Sequence, residues 1–462
     1  MTTDSTINRR TLLAYGALSV PITLAELPLV IYLPAFYAKE VGVSLGLIGL
    51  AFTLARIWDG VSDVLIGRLS DRFRPSVFGR RLWVLSGIPF FLLATWFLFN
   101  PPAQVGLWYL ALWLPVFYTA HTAVKIPYWS WGGELATGYE ERNRVASFRE
   151  GGQLVAMMVF GLAPLLLLQE GASIQTVLYL FALIVIVLTA VSVVPLALRR
   201  VPDNAALIRE SSSIREDIRA IARNTPKLLF LGSVLFASTG LGVISSCFIF
   251  LVEIGLALPG KVFALVFIQQ CVGIFLIPVI MVLASRIGKH TVYRWSIGLL
   301  SIFLGVLCVY LPAGQYMLTM AAWGIIGVFY TGVLMTPISM VSDIVDYDSA
   351  KTGQYRPGMY FASFNLVLKL GTALGVGIGF GLLAVLGFDP TDTVHSSEAI
   401  THLRIVGFGV SALLMLPAFI FLKWYPITKQ YHQQLRRDIE ARASDEKPEN
   451  DDATKAAAVV AG

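Results

Sequence analysis

The sequence predicts an all-α membrane protein of twelve transmembrane helices in two six-helix bundles. Three observations carry that expectation. Hydrophobic residues make up 56% of the chain and charged ones only 14%, with a mean hydropathy of +0.71; a soluble chain of this length needs far more polar surface to cover its cores. The apolar residues fall in long runs, among them Val155–Leu168, Val177–Leu198, Val262–Ala284 and Ile405–Leu422. Such runs match the roughly 20 residues that cross a hydrocarbon core about 30 Å thick. Gly and Pro lie inside the runs, as membrane helices allow, and the alternating segments of a β-barrel are not found.

Charged residues divide the runs into helices near 12–38, 44–68, 82–99, 106–131, 145–168 and 173–198, then near 227–255, 261–286, 291–311, 315–341, 357–387 and 403–424. The expected domains are an N-terminal six-helix bundle over 1–198, a cytoplasmic linker over 199–226, a C-terminal six-helix bundle over 227–426 and a cytoplasmic tail over 427–462, disordered from about Ala443. An amphipathic segment is expected within the linker around Ile214–Ala222. The first apolar stretch is read as a membrane helix, because no small-residue cleavage site follows it.

The net charge of +6 and pI near 9.1 do not imply nucleic acid. Arg9/Arg10, Arg68 to Arg81, Arg142/Arg144, the linker, Arg286/Lys289/Arg294 and Lys351/Arg356 all fall on one side, and the other side holds little beyond Lys39, Lys261 and Arg404. The excess of positive charge in cytoplasmic loops then places both termini in the cytoplasm of a cell with this chain in its inner membrane. Cys247, Cys271 and Cys308 lie in apolar runs without metal or pairing spacing and read as buried neutral thiols. A weak repeat joins the halves: Phe117-Tyr118-Thr119 recurs as Phe329-Tyr330-Thr331, and the same offset of 212 residues carries Glu134 onto Asp346 and Arg144 onto Arg356.

Helix 2 carries the chemistry. It reads Arg56-Ile57-Trp58-Asp59-Gly60-Val61-Ser62-Asp63, so Asp59 and Asp63 share one helix face with Cβ atoms about 6 Å apart. An acid in hydrocarbon costs on the order of 3 kcal/mol, and two on one face need compensation. A monovalent cation or a shared proton supplies it, with Ser62 as a further oxygen; the alternative is that Arg56 or a lysine of another helix pairs with one aspartate structurally. Farther on, Gly67-Arg68-Leu69-Ser70-Asp71-Arg72 and Gly79-Arg80-Arg81 resemble the loop between helices 2 and 3 of the major facilitator superfamily, where the aspartate and arginines latch one conformation.

The resemblance narrows. Asp59-x3-Asp63-x3-Gly67, Lys125-Ile126-Pro127-Tyr128-Trp129, Ser342-Asp343-Ile344-Val345-Asp346-Tyr347 and Leu368-Lys369-Leu370-Gly371 are similar to the glycoside–pentoside–hexuronide:cation symporters, the melibiose permease-like branch of that superfamily, over Tyr15 to Pro426. The resemblance implies a major facilitator fold and a monomer in membrane lipid that moves a small-molecule substrate by alternating access. It implies no cofactor beyond a coupling Na⁺ or H⁺, held by Asp59 and Asp63 with Ser62 and Thr122 as neighbours. The family's helix-4 tryptophan, helix-5 arginine and helix-11 lysine fall on Trp129, Arg149 and Lys369.

Departures bear on the substrate. Where the family holds sugar hydroxyls with aspartates of helices 1 and 4, this chain has Thr23, with Glu26 one turn later, and Lys125. Lys125, Arg149 and Lys369 suit an anion such as a hexuronide or another acidic sugar derivative; alternatively Lys125 pairs with Glu26 or a helix-2 aspartate and leaves a neutral site. His121, one turn before Lys125, is a substrate-site candidate that equally reads as a hydrogen-bonding spacer. Asp343, Asp346, Lys351 and Arg356 are expected in the loop between helices 10 and 11 as a gating charge network, with Glu134 and Arg144 as its counterparts. Rival readings are a cation-coupled carrier of a lysophospholipid-like amphiphile and a non-transporting membrane sensor. An embedded enzyme is disfavoured, since neither a His-Glu-x2-His nor a Gly-x-Ser-x-Gly motif nor a phosphate loop occurs.

Overall fold

A computed structural model describes residues 7–72, 79–102, 104–135, 139–167, 172–198, 224–352, 357–392 and 394–428, together with 430, 431 and 434. Twelve helical spans cross the fold among these residues: α1 (Arg9–Lys39), α2 (Leu45–Arg72), α3 (Gly79–Phe99), α4 (Leu107–Leu135), α5 (Tyr139–Leu167), α6 (Ile174–Ala197), α7 (Thr225–Gly255), α8 (Val262–Ile287), α9 (Lys289–Tyr310), α10 (Tyr316–Thr352), α11 (Pro357–Val385) and α12 (Ser397–Lys423). No strand occurs among the described residues. The linker with its expected amphipathic segment, and nearly all of the tail, lie outside them.

Eleven spans are long and apolar enough to cross a membrane. The one left out is α4, whose composition is diluted by His121, Lys125, Glu134 and a run of Tyr and Trp. The span that falls short is the one that carries Lys125 and Trp129.

Proline shapes α1. The span is broken at Leu18 and Tyr32 into three helical pieces, and Pro21, Pro28 and Pro34 lack the N–H that continues a helix. The Ala17 carbonyl, which the absent Pro21 N–H leaves without its helical donor, accepts a hydrogen bond from Ser192 Oγ of α6 at 3.2 Å. One π-turn lies in α7 (Leu251–Gly255) and one in α12 (Ile405–Val410). Only Cys247 of the three free thiols is fully buried; Cys271 and Cys308 are half-buried, which corrects the expectation for those two.

Within each half the helices meet through small residues. A Cβ on Gly375 of α11 would fall 2.7 Å from Gly242 Cα of α7, so the two backbones cross with no room for side chains. Gly375→Val is therefore expected to lower the midpoint of thermal unfolding in detergent, by an overpacking penalty of about 1–3 kcal/mol, and a midpoint equal to that of the parent would refute the close crossing.

The halves meet through α2 against α11 and α5 against α8. Thr53 Oγ1 of α2 donates to Ala373 O of α11 at 3.1 Å, and a Cβ on Gly161 of α5 would fall 3.2 Å from Phe267 Cα of α8. Lys39 Nζ of α1 pairs with Glu253 Oε2 of α7 at 2.9 Å. These contacts seal the face away from the chain termini (the far face). Toward the terminal face a cavity of about 300 Å³ separates α4 and α5 from α7, α10 and α11, with Glu150 and Ile338 exposed at its rim.

The largest boundary difference is at α10, which runs to Thr352 rather than ending near 341. Asp343, Asp346 and Lys351 are consequently helical and do not sit in a loop. Met340, Val341, Ile344 and Val345 are buried, and this apolar stripe continues the helix through the acidic residues with no Gly or Pro to stop it.

Candidate functional site

Six ionisable side chains from four helices form one network between the halves. Asp59 of α2 is 1% exposed and Arg56, one turn earlier, is 7% exposed. Arg56 Nη1 lies 3.3 Å from Asp59 Oδ2 and 3.1 Å from Glu26 Oε1 of α1, with its guanidinium carbon 4.8 Å from the centroid of the Tyr118 ring of α4. Lys125 Nζ of α4 lies 3.0 Å from Glu26 Oε2. Lys369 Nζ of α11 lies 2.8 Å from Asp59 Oδ2 and 2.5 Å from Asp63 Oδ2. The i, i+4 spacing on α2 aims both aspartates at the same place, and Lys369 is the only one of the six contributed by the C-terminal half.

Neutral oxygens complete the arrangement. Thr122 Oγ1 donates to Asp63 Oδ1 at 2.9 Å and to Asp59 Oδ1 at 3.3 Å as alternative acceptors. Ser62 Oγ donates to the backbone carbonyl of Asp59 at 2.9 Å. Three carboxylates, Glu26, Asp59 and Asp63, thus face three cations, Arg56, Lys125 and Lys369, and the cluster is formally neutral. Buried charges persist in a low dielectric only when paired and hydrogen-bonded in this way.

Trp129 stands between two cations. Lys125 Nζ is 5.2 Å and Arg149 Cζ 5.0 Å from its ring centroid, within range of cation–π attraction. Trp129 and Arg149 line the 300 Å³ cavity together with Glu150, Gln153 and Asn365, and Arg149 Nη2 donates to Glu150 Oε1 at 2.7 Å.

A family model described as MFS/sugar transport protein matches residues 14–429. The chain belongs to that family. The putative glycoside/cation symporter YagG of Escherichia coli (strain K12) is 24% identical over 414 residues, covering 87% of this chain and 89% of that one. The glucuronide carrier protein homolog of the same organism is 25% identical over 452 residues, 94% and 96% of the two chains. Among solved structures, the nucleoside transporter NupG superposes with a TM-score of 0.61 over 90% of this chain and 100% of that one, at 14% identity, a likeness of fold. This MFS sugar-transport protein is therefore a multi-pass membrane transporter, and its family is not one of enzymes.

For the MFS sugar-transport protein the structure places Asp59, Asp63, Thr122 and Lys369 in mutual contact, with the Ser62 hydroxyl on the Asp59 backbone carbonyl, and both counter-charges weighed for the aspartates, Arg56 and a lysine of another helix, are present at once. Lys125 is paired with Glu26 and is not a free handle for an anion. Thr23 is half-buried on α1, one turn before Glu26. His121 is buried, its Nε2 3.2 Å from the Ile22 carbonyl and its ring stacked on Phe117 at 5.7 Å, so it tethers α4 to α1 away from the cavity lining. That placement is the geometry of a hydrogen-bonding spacer. The same two helices interlock through Tyr15 and Tyr128, each hydroxyl donating to the other's carbonyl at 3.1 and 2.9 Å.

Of the gating candidates, Arg80 and Arg81 are buried in the first turn of α3, and Arg80 Nη1 donates to Ser70 Oγ of α2 at 2.9 Å. Asp343 accepts from Lys289 Nζ at 2.6 Å, Asp346 is half-buried on α10 and Arg144 is exposed on α5. Asp71, Arg72 and Glu134 fall within helices, but their side chains lie outside the described part, as does all of Arg356. Sequence reasoning missed Lys227, which is fully buried at the start of α7 with its amine donating to the Tyr360 carbonyl at 2.8 Å; a lone lysine at a helix end reads as an ordinary cytoplasmic charge.

The Glu26–Lys125 pair makes a direct prediction. Glu26→Gln and Lys125→Met should each destabilise the protein, and the double variant should recover part of the loss, with a coupling energy of about 0.5–3 kcal/mol. Strict additivity in thermal unfolding would mean the two groups do not interact.

Proposed function

We propose that this protein is a secondary active symporter that moves a sugar or glycoside together with Na⁺ or H⁺ by alternating access, as a monomer in an inner membrane with both termini cytoplasmic. The observation that carries the reading is the position of Lys369. Its ammonium sits between the two carboxylates of α2, whose Oδ2 atoms converge on a single positive charge while Thr122 Oγ1 holds their Oδ1 atoms. A Na⁺ ion prefers such an oxygen set, and a proton on either aspartate equally removes the need for the amine. Arrival of the coupling cation releases Lys369 from α2. Its neighbour Leu368 lines the substrate cavity, so the exchange changes the cavity wall and the contact between the halves in one step. Substrate that favours the released lysine then favours the cation, and the reverse holds by the same amount.

The pairing of Lys125 with Glu26 and the neutrality of the cluster support an uncharged glycoside over a hexuronide. An acid would have to draw on Arg149, whose partner Glu150 is half-exposed and on the adjacent position of the same helix. YagG's name specifies a glycoside/cation symporter, and the carrier homolog's name a glucuronide. The experiment is uptake into proteoliposomes across neutral glycosides, hexuronides and a lysophospholipid, with and without Na⁺ and proton gradients. Gradient-driven accumulation of a neutral glycoside is the expected result. Uptake confined to the hexuronides would move the substrate reading to Arg149, and uptake of the lysophospholipid alone would replace it with the amphiphile carrier.

A further inference from the structure

A second, deeper cavity of about 130 Å³ lies beyond the substrate cavity toward the far face. Leu241 lines both. The two follow one another along two helices: α7 lines the outer one with Ala237 and Ser238 and the inner one with Ile244 and Ser245, while α10 lines the outer one with Val333 and Pro337 and the inner one with Trp323 and Tyr330. From α1 come Leu27 and Ile31, so the inner chamber also spans the two halves.

Its chemistry differs from that of the outer cavity. No charged side chain is among its lining residues, whereas Arg149 and Glu150 line the outer one. Its polar groups are the adjacent amides of Gln269 and Gln270 on α8, the Ser245 hydroxyl and the Tyr330 hydroxyl. None of these four side chains hydrogen-bonds to another described residue, although each is half-buried in a membrane-spanning helix. Unmatched amides in such surroundings are costly unless a ligand or water satisfies them. A primary amide offers donors and an acceptor, the complement of a sugar hydroxyl that both gives and takes a proton. Trp323, buried between Phe248 and Phe408 at ring distances of 5.7 and 6.2 Å, forms part of the chamber's apolar wall.

We infer that Gln269, Gln270, Ser245 and Tyr330 form a subsite in the C-terminal half that takes an uncharged pyranose ring of the substrate, while the rest of the glycoside lies past Leu241 beside Trp129 and Arg149. The inference rests on the sugar-symport reading and assigns where its ring is held. A charged ring is excluded from the chamber because nothing there would balance it; an acidic group on the substrate belongs in the outer cavity.

The test uses the full chain in proteoliposomes with a panel of radiolabelled neutral methyl and nitrophenyl glycosides. For the glycoside that the parent accumulates, the double variant Gln269→Leu/Gln270→Leu should raise KM by about tenfold, the loss of one or two neutral hydrogen bonds, with the cation concentration for half-maximal uptake unchanged. The conservative pair Gln269→Asn/Gln270→Asn should give an intermediate KM. A KM within about twofold of the parent overturns the subsite and leaves the symport reading standing. Loss of cation dependence along with affinity also overturns it, since the amides would then serve the fold or the coupling network. Failure of the parent to carry any glycoside removes both.

Discussion

Asp59→Asn and Asp63→Asn should each abolish cation-driven accumulation of substrate while leaving a folded protein. Either change removes one of the two carboxylates that converge on the Lys369 ammonium, so a cation arriving there meets a single acid instead of a pair. The cooperative gain in substrate affinity, ~5–150-fold between typical coupled sites, should vanish. Survival of the fold follows from the geometry: without the Asp59 carboxylate, Lys369 keeps Asp63 at 2.5 Å and Arg56 keeps Glu26 at 3.1 Å, so neither cation is orphaned. The measurement is uptake at saturating substrate with and without each gradient, with size-exclusion elution as the check on folding. Unchanged coupling in both variants would remove these residues from the ion path.

Lys369→Ala should act in the opposite sense on the ion. The change leaves Asp59 and Asp63 facing each other without the ammonium, and the six-charge cluster becomes a five-charge cluster with one net negative charge. An ion pair at about 4 Å in an effective dielectric of ~20 is worth about 4 kcal/mol, much of it offset by desolvation. A Na⁺ ion no longer has to displace a resident cation, so its binding should tighten by at least about tenfold, or ~1.4 kcal/mol. Turnover should fall, because the return of the unloaded carrier needs the lysine to refill the site. Calorimetric Na⁺ titration reads the first effect and exchange against efflux assays read the second. Weaker binding of Na⁺ in Lys369→Ala would mean the lysine is part of the site's scaffold.

Much of this was legible in the sequence, and the limits have physical causes. Hydropathy and charge punctuation locate all twelve spans because each holds a long apolar run; α4 is placed from its run as well, although its polar and aromatic residues lower its hydropathy. The acid pair of α2 is legible because its partners are on the same helix, four residues apart. The pairing of Glu26 with Lys125, 99 residues apart, and of Asp63 with Lys369, 306 residues apart, depends on tertiary packing. For that reason Lys125 reads in the sequence either as a handle for an anion or as a structural partner, and the 3.0 Å separation favours the second. The length of α10 was misjudged because Asp343, Asp346 and Asp348 resemble the end of a membrane span; the buried stripe that holds the helix together beneath them is visible only once the neighbouring helices are in place. Gln269 and Gln270 carry no signal at all in an apolar run, because a neutral amide in a membrane helix marks nothing until a cavity is seen beside it.

The central claim is that Asp59, Asp63 and Lys369 make one site in which a coupling cation replaces an amine. Simultaneous recording of cation and glycoside flux in the same proteoliposomes tests it most directly, with Na⁺ and proton arms for the parent, Asp59→Asn, Asp63→Asn and Lys369→Ala. The expected result is that cation and glycoside enter together in the parent, and that the cation flux evoked by glycoside disappears in both aspartate variants and slows in Lys369→Ala. Glycoside entry without cation flux in the parent, or an evoked cation flux that persists in both aspartate variants, would contradict it.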